Sequence, residues 1–387
     1  MDRRTLLKSS GLLLGGLTLG SVISGAQAKN SKTASQILIP SEHQPLLLNF
    51  NENSLGMSPK AHQAIIDALP TAFRYPDAAR ELLITNIAAE YQLKTENISL
   101  GNGSSETIQA VIQAVIHQAE RDNKPIQLVV PDPTFNYAEL YAKPFGIPIE
   151  KVVLTKEMAF DLPAMQKKVA DFNGRSIVYL CNPNNPTATI TPANLITAWV
   201  KNATPETLFI LDEAYAEFVS NPAFSSAISL VQAGHRNVLV TRTFSKIFAL
   251  AGLRIGYGIA HPELISMVEN FVSLDNTNTA GAVAALASLQ DKPFVQYSRQ
   301  STDQARRIVT RALDQLKLAY LPSEANFVFH RVTGDVKTYQ NRMKQYHVFV
   351  GREFPPAVGW NRLTLGTPEE MIAFVTVLKM FRTKGWV

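Results

Sequence analysis

Between residues 97 and 260 the chain repeats one pattern: a short apolar run, a polar or glycine-rich turn, then a helical stretch. The runs are "NISL", "PIQLVV", "SIVYLC", "TLFIL" and "NVLV", and "RIGYGIA" closes the series. Continuous Val, Ile and Leu runs of this length suit strands buried on both faces, and helical segments between them suit parallel neighbours. The expected fold is therefore α/β, with a mostly parallel sheet covered by helices. Ligands of such sheets bind beyond the carboxyl ends of the strands. Polar residues gather at those ends: 101–105 after "ISL", 132–135 after "LVV", 182–187 after "IVYLC", 212–215 after "LFIL" and 243–246 after "VLV".

A chain of 387 residues has room for this domain and a second one. From about residue 270 an Ala-rich helical stretch leads into strands and a final helix, which reads as a smaller α+β domain. The expected division is a signal at 1–28, a segment at 29–74 that serves the small domain and a substrate lid, a large domain at 75–270 and a small domain at 271–387. Arg3, Arg4 and Lys8 against Asp2 supply a net +2 of the formal +5. The remainder is too small, and too free of basic runs interleaved with aromatics, for a nucleic-acid partner. A single cysteine, Cys181, excludes an intramolecular disulfide and a CxxC zinc site. Scattered histidines without HExxH argue against a metal hydrolase, and no metal is expected.

The first 28 residues read as an export signal. A basic start precedes an uncharged Leu/Gly/Ser-rich stretch, and Ala26-Gln27-Ala28 offers a small-x-small cleavage site. Arg3-Arg4 followed by "TLLK" resembles a twin-arginine signal. An ordinary secretory signal and an uncleaved anchor are the alternatives, but the apolar run is short and glycine-broken for a span. The expected location is periplasmic, with no membrane span after cleavage.

Three features carry chemistry. "GNGSSE" opens a helix, and its N–H groups and hydroxyls suit a phosphate, although an N-cap without a ligand also fits. Asp212 ends a fully apolar strand, where a carboxylate needs a partner: a heterocyclic N–H⁺, an arginine, or a cap. Tyr215 follows three residues on, within reach of the same ligand. Lys246 lies among Thr243, Ser245 and an apolar stretch that ends at Arg254. A neutral lysine amine attacks an aldehyde, and a pyridinium-binding carboxylate beside it is the mark of pyridoxal phosphate. Arg254 with Thr243 and Ser245 would complete the anion site.

"NPNNPT", "LDEAY" and "TFSKIFALAGLRIGY" resemble the fold-type I aminotransferases, nearest the histidinol-phosphate branch. "LNFNENSLGMSP", "RYPD", "ANFVF" and "NRLTLGTPEE" extend the resemblance over nearly the whole chain after the signal. The resemblance implies that Lys246 bonds the cofactor aldehyde and shuttles a proton. It implies that Asp212 pairs with the ring nitrogen, that Asn185 and Tyr215 bond the phenolic oxygen, and that Phe135 stacks on the ring. Gly103, Ser104, Thr243, Ser245 and Arg254 would hold the phosphate. Tyr75 would reach the cofactor of a neighbouring subunit, which implies a homodimer. Arg362 would bind the substrate carboxylate or its equivalent, with Arg352 and Gly56 as further substrate contacts. The implied reaction is ping-pong transfer between an amino donor and a 2-oxo acid. A decarboxylase, racemase or oxidase on the same scaffold shares these motifs, and an exported binding protein without turnover is the rival outside enzymes. One departure is Ala188, where the family carries glycine after "NPT".

Overall fold

The structure is a computed structural model that describes residues 38–387. The export reading on 1–28 lies outside the described residues. Strand β1 (Leu46–Leu48) comes first. The seven strands that follow form one sheet: β2 (Ile98–Asn102), β3 (Ile126–Asp132), β4 (Ile149–Val153), β5 (Arg175–Cys181), β6 (Thr207–Asp212), β7 (Val238–Thr243) and β8 (Ile255–Ala260). Their spatial order is β2-β8-β7-β6-β5-β3-β4. Four neighbouring pairs run parallel, and β8 alone runs against its neighbours β2 and β7.

The central strands β6 and β7 are buried at every residue. β6 is apolar from Leu208 to Leu211, whereas β7 turns polar at Thr241, Arg242 and Thr243, where Arg242 is paired with Glu213 and Glu217. Helix Ser104–Arg121 packs on β2, β7 and β8, and its buried Ile108, Val111, Ile112, Val115, Ile116 and Ala119 are spaced to give one helical face. Sequence patterning did not reveal β4. It is an edge strand, half exposed, and its "IEKVV" carries two charges, so it lacks the continuous apolar run that marks the interior strands. Gly256 on β8 lets that helix start against the sheet: a Cβ there would overlap the Ser104 backbone nitrogen.

The small domain holds two strand pairs. β9 (Phe327–Arg331) pairs antiparallel with β11 (Trp360–Thr364), and β10 (Val348–Val350) pairs parallel with β1. Leu46, Leu48, Val309, Leu313, Val328, Leu363, Phe374 and Phe381 form its core. Helix Pro368–Thr383 starts on a reciprocal cap between Thr367 and Glu370. The division between cores differs from the expected boundaries. Helices Pro59–Ala68 and Thr279–Gln290 pack on each other and join the large core through Ala61, Ala282, Ala284 and Ala285. The changeover falls inside helix Lys292–Leu316, which sets Val295 on the large core and Ala305 on the small one. The Ala- and Gly-rich 279–290 helix has no polar face to leave exposed, so it is drawn into the larger core.

Candidate active site

A cavity of about 260 Å³ opens beyond the carboxyl ends of β3, β5, β6 and β7. It is lined by Phe50, Asn51, Ser104, Ser105, Phe135, Tyr137, Cys181, Asn185, Asp212, Ala214, Tyr215, Thr243, Ser245, Lys246, Ala251, Arg254 and Arg362. Ten of the expected site residues therefore meet at one place: Ser104, Phe135, Asn185, Asp212, Tyr215, Thr243, Ser245, Lys246, Arg254 and Arg362. Arg362 arrives from β11 of the small domain.

One end of the cavity is built for an anion. Arg254 donates from Nη2 to the Asn102 carbonyl and to Ser105 Oγ, both at 3.2 Å. Thr243 Oγ1 donates to Ser245 Oγ at 2.9 Å. The helix that starts at Ser104 brings its N-terminus to the same spot, where its unpaired N–H groups favour negative charge. Gly103 shapes this end from behind: its φ is 74°, and a Cβ there would overlap the Arg254 guanidinium.

At the other end, Asp212 is 2% exposed at the tip of β6. Its Oδ2 accepts from Tyr179 Oη at 2.7 Å, and its Oδ1 accepts from Thr241 Oγ1 at 3.0 Å. Burial pushes the Asp212 carboxyl above its usual range, against the pull of these donors and the Ala214 N–H. Among the described residues no cation pairs with it. A buried carboxylate satisfied only by neutral donors and facing a cavity is suited to a cationic ligand.

Lys246 lines the same cavity. Its Nζ donates to the backbone carbonyls of Asn51 at 3.2 Å and Phe50 at 3.4 Å. Burial lowers its pKa to about 8, and Arg362 and Arg254 push the same way while Glu52 and Asp212 oppose. Tyr215 accepts at its hydroxyl from Asn51 Nδ2 at 3.0 Å, and burial keeps it a phenol. Arg362 donates from Nη1 to Asn185 Oδ1 at 2.8 Å and from Nη2 to the Asn49 carbonyl at 2.6 Å. Burial, and then Arg352, bring its pKa down to about 10, with Tyr215 opposing. Phe135 stacks on Tyr137 with ring centroids 4.3 Å apart.

A second cavity of about 380 Å³ shares Phe50, Phe135, Tyr137, Asn185 and Arg362 with the first. Arg352 lines it, with its guanidinium 4.2 Å from the Phe354 ring centre. Gly56 does not line either cavity. It is exposed, its φ is 73°, and it closes a turn in which its N–H donates to the Asn53 carbonyl at 3.1 Å. Gly56 thus stands apart from both cavities of its own chain. Tyr75 is 78% exposed and away from the cavities of its own chain.

Ala188 keeps the backbone a glycine would use. Its φ is 60° and it is fully buried, and its N–H donates to the Asn184 carbonyl at 2.7 Å. A left-handed alanine costs about 1 kcal/mol, so Ala188→Gly is expected to raise the urea midpoint of unfolding. An unchanged or lower midpoint would show that the loop is not strained.

Residues 43–378 match the family Aminotransferase class I and II. The chain belongs to that family. The histidinol-phosphate aminotransferase of Moorella thermoacetica is 35% identical over 86% of this chain and 84% of its own. A solved structure from Erwinia carotovora atroseptica is 44% identical, covers 91% of this chain and 100% of its own, and superposes with a TM-score of 0.87. The histidinol-phosphate aminotransferase of Sinorhizobium meliloti, solved with pyridoxal-5'-phosphate, is 25% identical over 88% of this chain and 91% of its own, with a TM-score of 0.80. This aminotransferase is a pyridoxal-phosphate-dependent transaminase. The site fits that cofactor on its own terms: a cation-free buried carboxylate, an amine made less basic by burial, and an anion cradle share one cavity.

Sequence reasoning did not single out Phe50, Asn51, Tyr137, Tyr179, Thr241 or Cys181 as site residues. Thr241 carried a usable signal, since it alternates with Thr243 along β7. Asn51 stands in the Asn-rich "LNFNEN" loop.

Proposed function

We propose that this aminotransferase moves an amino group between an anionic primary amine of the histidinol-phosphate type and a 2-oxo acid, with Lys246 as its proton carrier. The observation that carries this reading is the Lys246 amine, lowered to about 8, in one cavity with the cation-free Asp212 carboxylate. When bound, the cofactor supplies an aldehyde to receive the amino group and a protonated ring to draw electrons from the substrate carbon. Asp212 binds the ring N–H⁺. Ser104, Thr243, Ser245 and Arg254, with Gly103 keeping the space clear, bind the phosphate. Asn185 spends Oδ1 on Arg362, so its amide N–H groups remain as donors for the phenolic oxygen, beside the Tyr215 hydroxyl. Phe135, which lines the cavity, would stack on the ring and shield that face from water. The carbonyls of Phe50 and Asn51 orient Lys246 Nζ, which takes and returns the substrate proton. Arg362 binds the substrate carboxylate or its equivalent, and Arg352 offers a second cation in an aromatic side cavity.

The names of the Moorella and Sinorhizobium relatives support the donor class, as do the two arginines beside Phe50, Tyr137 and Phe354. A donor screen that follows bleaching of the bound cofactor in a single half-reaction tests it. Phosphorylated amino alcohols are expected to bleach fastest, with the amino form of the cofactor accumulating. Release of carbon dioxide or peroxide in place of that form would move the reading to a decarboxylase or an oxidase.

A homodimer is part of the proposal. Exposed Leu69, Phe73, Tyr75 and Leu82 are apolar surface that a second copy would bury. The Tyr75 phenol would then reach the phosphate in the neighbouring subunit. Tyr75→Phe is expected to weaken cofactor binding by about threefold to tenfold without changing the mass measured by light scattering. A monomer in solution would contradict the arrangement. Export by the twin-arginine route remains the proposal for residues 1–28. Changing Arg3 and Arg4 together to lysine should retain the precursor in the cytoplasm on fractionation, whereas an ordinary secretory signal would tolerate the change.

A further inference from the structure

Tyr179 stands in the middle of β5, one pleat before Cys181 and on the same face of the strand. It is fully buried. Cys181, Asp212 and Thr241 are register partners across β5, β6 and β7, so the Asp212 carboxylate emerges between two strands that flank it. The phenol of Tyr179 runs up to that row and meets Oδ2 at 2.7 Å, while Thr241 takes Oδ1. Its single O–H proton is committed to the carboxylate. A carboxylate cannot donate back, so the direction of this hydrogen bond is fixed by chemistry.

We propose that Tyr179 is a positioning residue whose phenol holds the Asp212 carboxylate so that the proton they share at the base of the cavity stays on the ring nitrogen of the bound cofactor rather than on Asp212. The proposal rests on the reading of Asp212 as the ring's partner. A proton between a carboxylate and a pyridine nitrogen goes to the stronger base. Each hydrogen bond donated to the carboxylate weakens it as a base, and bonds to a charged acceptor are the strong ones. At Asp212 burial works the other way, by favouring the protonated acid. The Tyr179 and Thr241 hydroxyls are the side-chain groups that oppose it. Tyr179 is suited to the task because burial and the carboxylate beside it keep it a phenol. The other titratable groups near Asp212 are Cys181 on β5, Glu213 and Tyr215 after β6, and Lys246 after β7. Glu213 turns away to bond Arg242 and Ser226, and so gives Asp212 no proton.

The test is Tyr179→Phe in the holoenzyme, loaded with cofactor labelled with ¹⁵N in the ring. The ring-nitrogen resonance of the unchanged enzyme should lie at the pyridinium position. In Tyr179→Phe it should move toward the unprotonated position, and kcat should fall about tenfold, equivalent to one pKa unit of carboxylate basicity, with the donor KM little changed. A purely structural tyrosine would lower thermal stability and leave the resonance in place, and that result overturns the proposal. Should Tyr179→Phe not fold, site-specific 3-fluorotyrosine at position 179 keeps the shape and strengthens the donor. The resonance should then stay at the pyridinium position at pH values where the unchanged enzyme begins to lose it, and an identical titration overturns the proposal. An unprotonated ring in the unchanged enzyme would be a different failure, because it removes Asp212 as the ring's partner.

Discussion

Lys246→Ala should abolish transamination, with kcat falling at least about 10⁴-fold, while the protein still folds and still binds the cofactor phosphate. The lysine has two roles that no neighbour duplicates. On the proposed reading it is the amine that captures the cofactor, and its pKa of about 8 lets it hold a proton and release it near neutral pH. The other cations at hand are Arg254 and Arg362. Arg254 is a guanidinium engaged with Ser105 and the Asn102 carbonyl, and Arg362 has a pKa of about 10 even after burial lowers it. Neither exchanges a proton readily at pH 7. Removing the lysine should not disturb packing, since its amine contacts two backbone carbonyls and the open cavity. Borohydride treatment followed by intact-mass analysis should give a cofactor adduct at residue 246 in the parent enzyme and none in the variant. The same pKa predicts a pH profile. The neutral amine is the nucleophile, and its fraction grows as pH rises toward 8, so capture of cofactor by the apoprotein should speed up about tenfold per pH unit below that value and level off above it. Turnover retained in Lys246→Ala, or a flat capture profile, would remove Lys246 from the mechanism.

The sequence made the interior of the large sheet legible because strands buried on both faces must be apolar throughout, and their polar ends then stand out. That is how Asp212, Asn185, Thr243 and Lys246 could be read as neighbours before any contact was known. The same logic is blind to a polar atom inside an apolar run. Tyr179 reads as one more core aromatic in "SIVYLC", and only the register of β5 against β6 reveals that its hydroxyl ends at Asp212. Asn51 is hidden differently. It reaches the site from a loop after β1, anchored by Thr364 on β11, more than three hundred residues away in sequence. The division of the core inside Lys292–Leu316 was also out of reach. That helix is continuous and amphipathic along its 25 residues, so its pattern does not mark where its apolar face changes partner.

The second large effect is expected at Asp212, and it separates two contributions that the resemblance alone leaves joined. Asp212→Ala should lower kcat by about 10²–10³-fold, the scale of losing one preorganised charge at a reacting group, yet weaken cofactor binding only about tenfold. The reason is spatial. On the proposed reading Arg254, Thr243, Ser245 and the start of helix Ser104–Arg121 would hold the cofactor phosphate, and their own hydrogen bonds do not involve Asp212. Stability should respond with mixed sign. Alanine removes a buried carboxylate that lacks a cation in the absence of cofactor, which favours the folded apoprotein, but it strands the Tyr179 and Thr241 hydroxyls without an acceptor. Asp212→Asn tells these effects apart. Its carbonyl still accepts from one of the two hydroxyls and strands only the other, so the apoprotein should unfold at a midpoint above that of Asp212→Ala. Its amide, turned toward the ring, would donate to an unprotonated nitrogen and so favour the ring state that draws electrons poorly. Asp212→Asn should therefore be as slow as Asp212→Ala while being more stable. Stopped-flow half-reactions measure the rate and cofactor titration measures the affinity. An asparagine variant that turns over within threefold of the parent enzyme would mean that this carboxylate braces the strand ends and does not hold a proton on the ring.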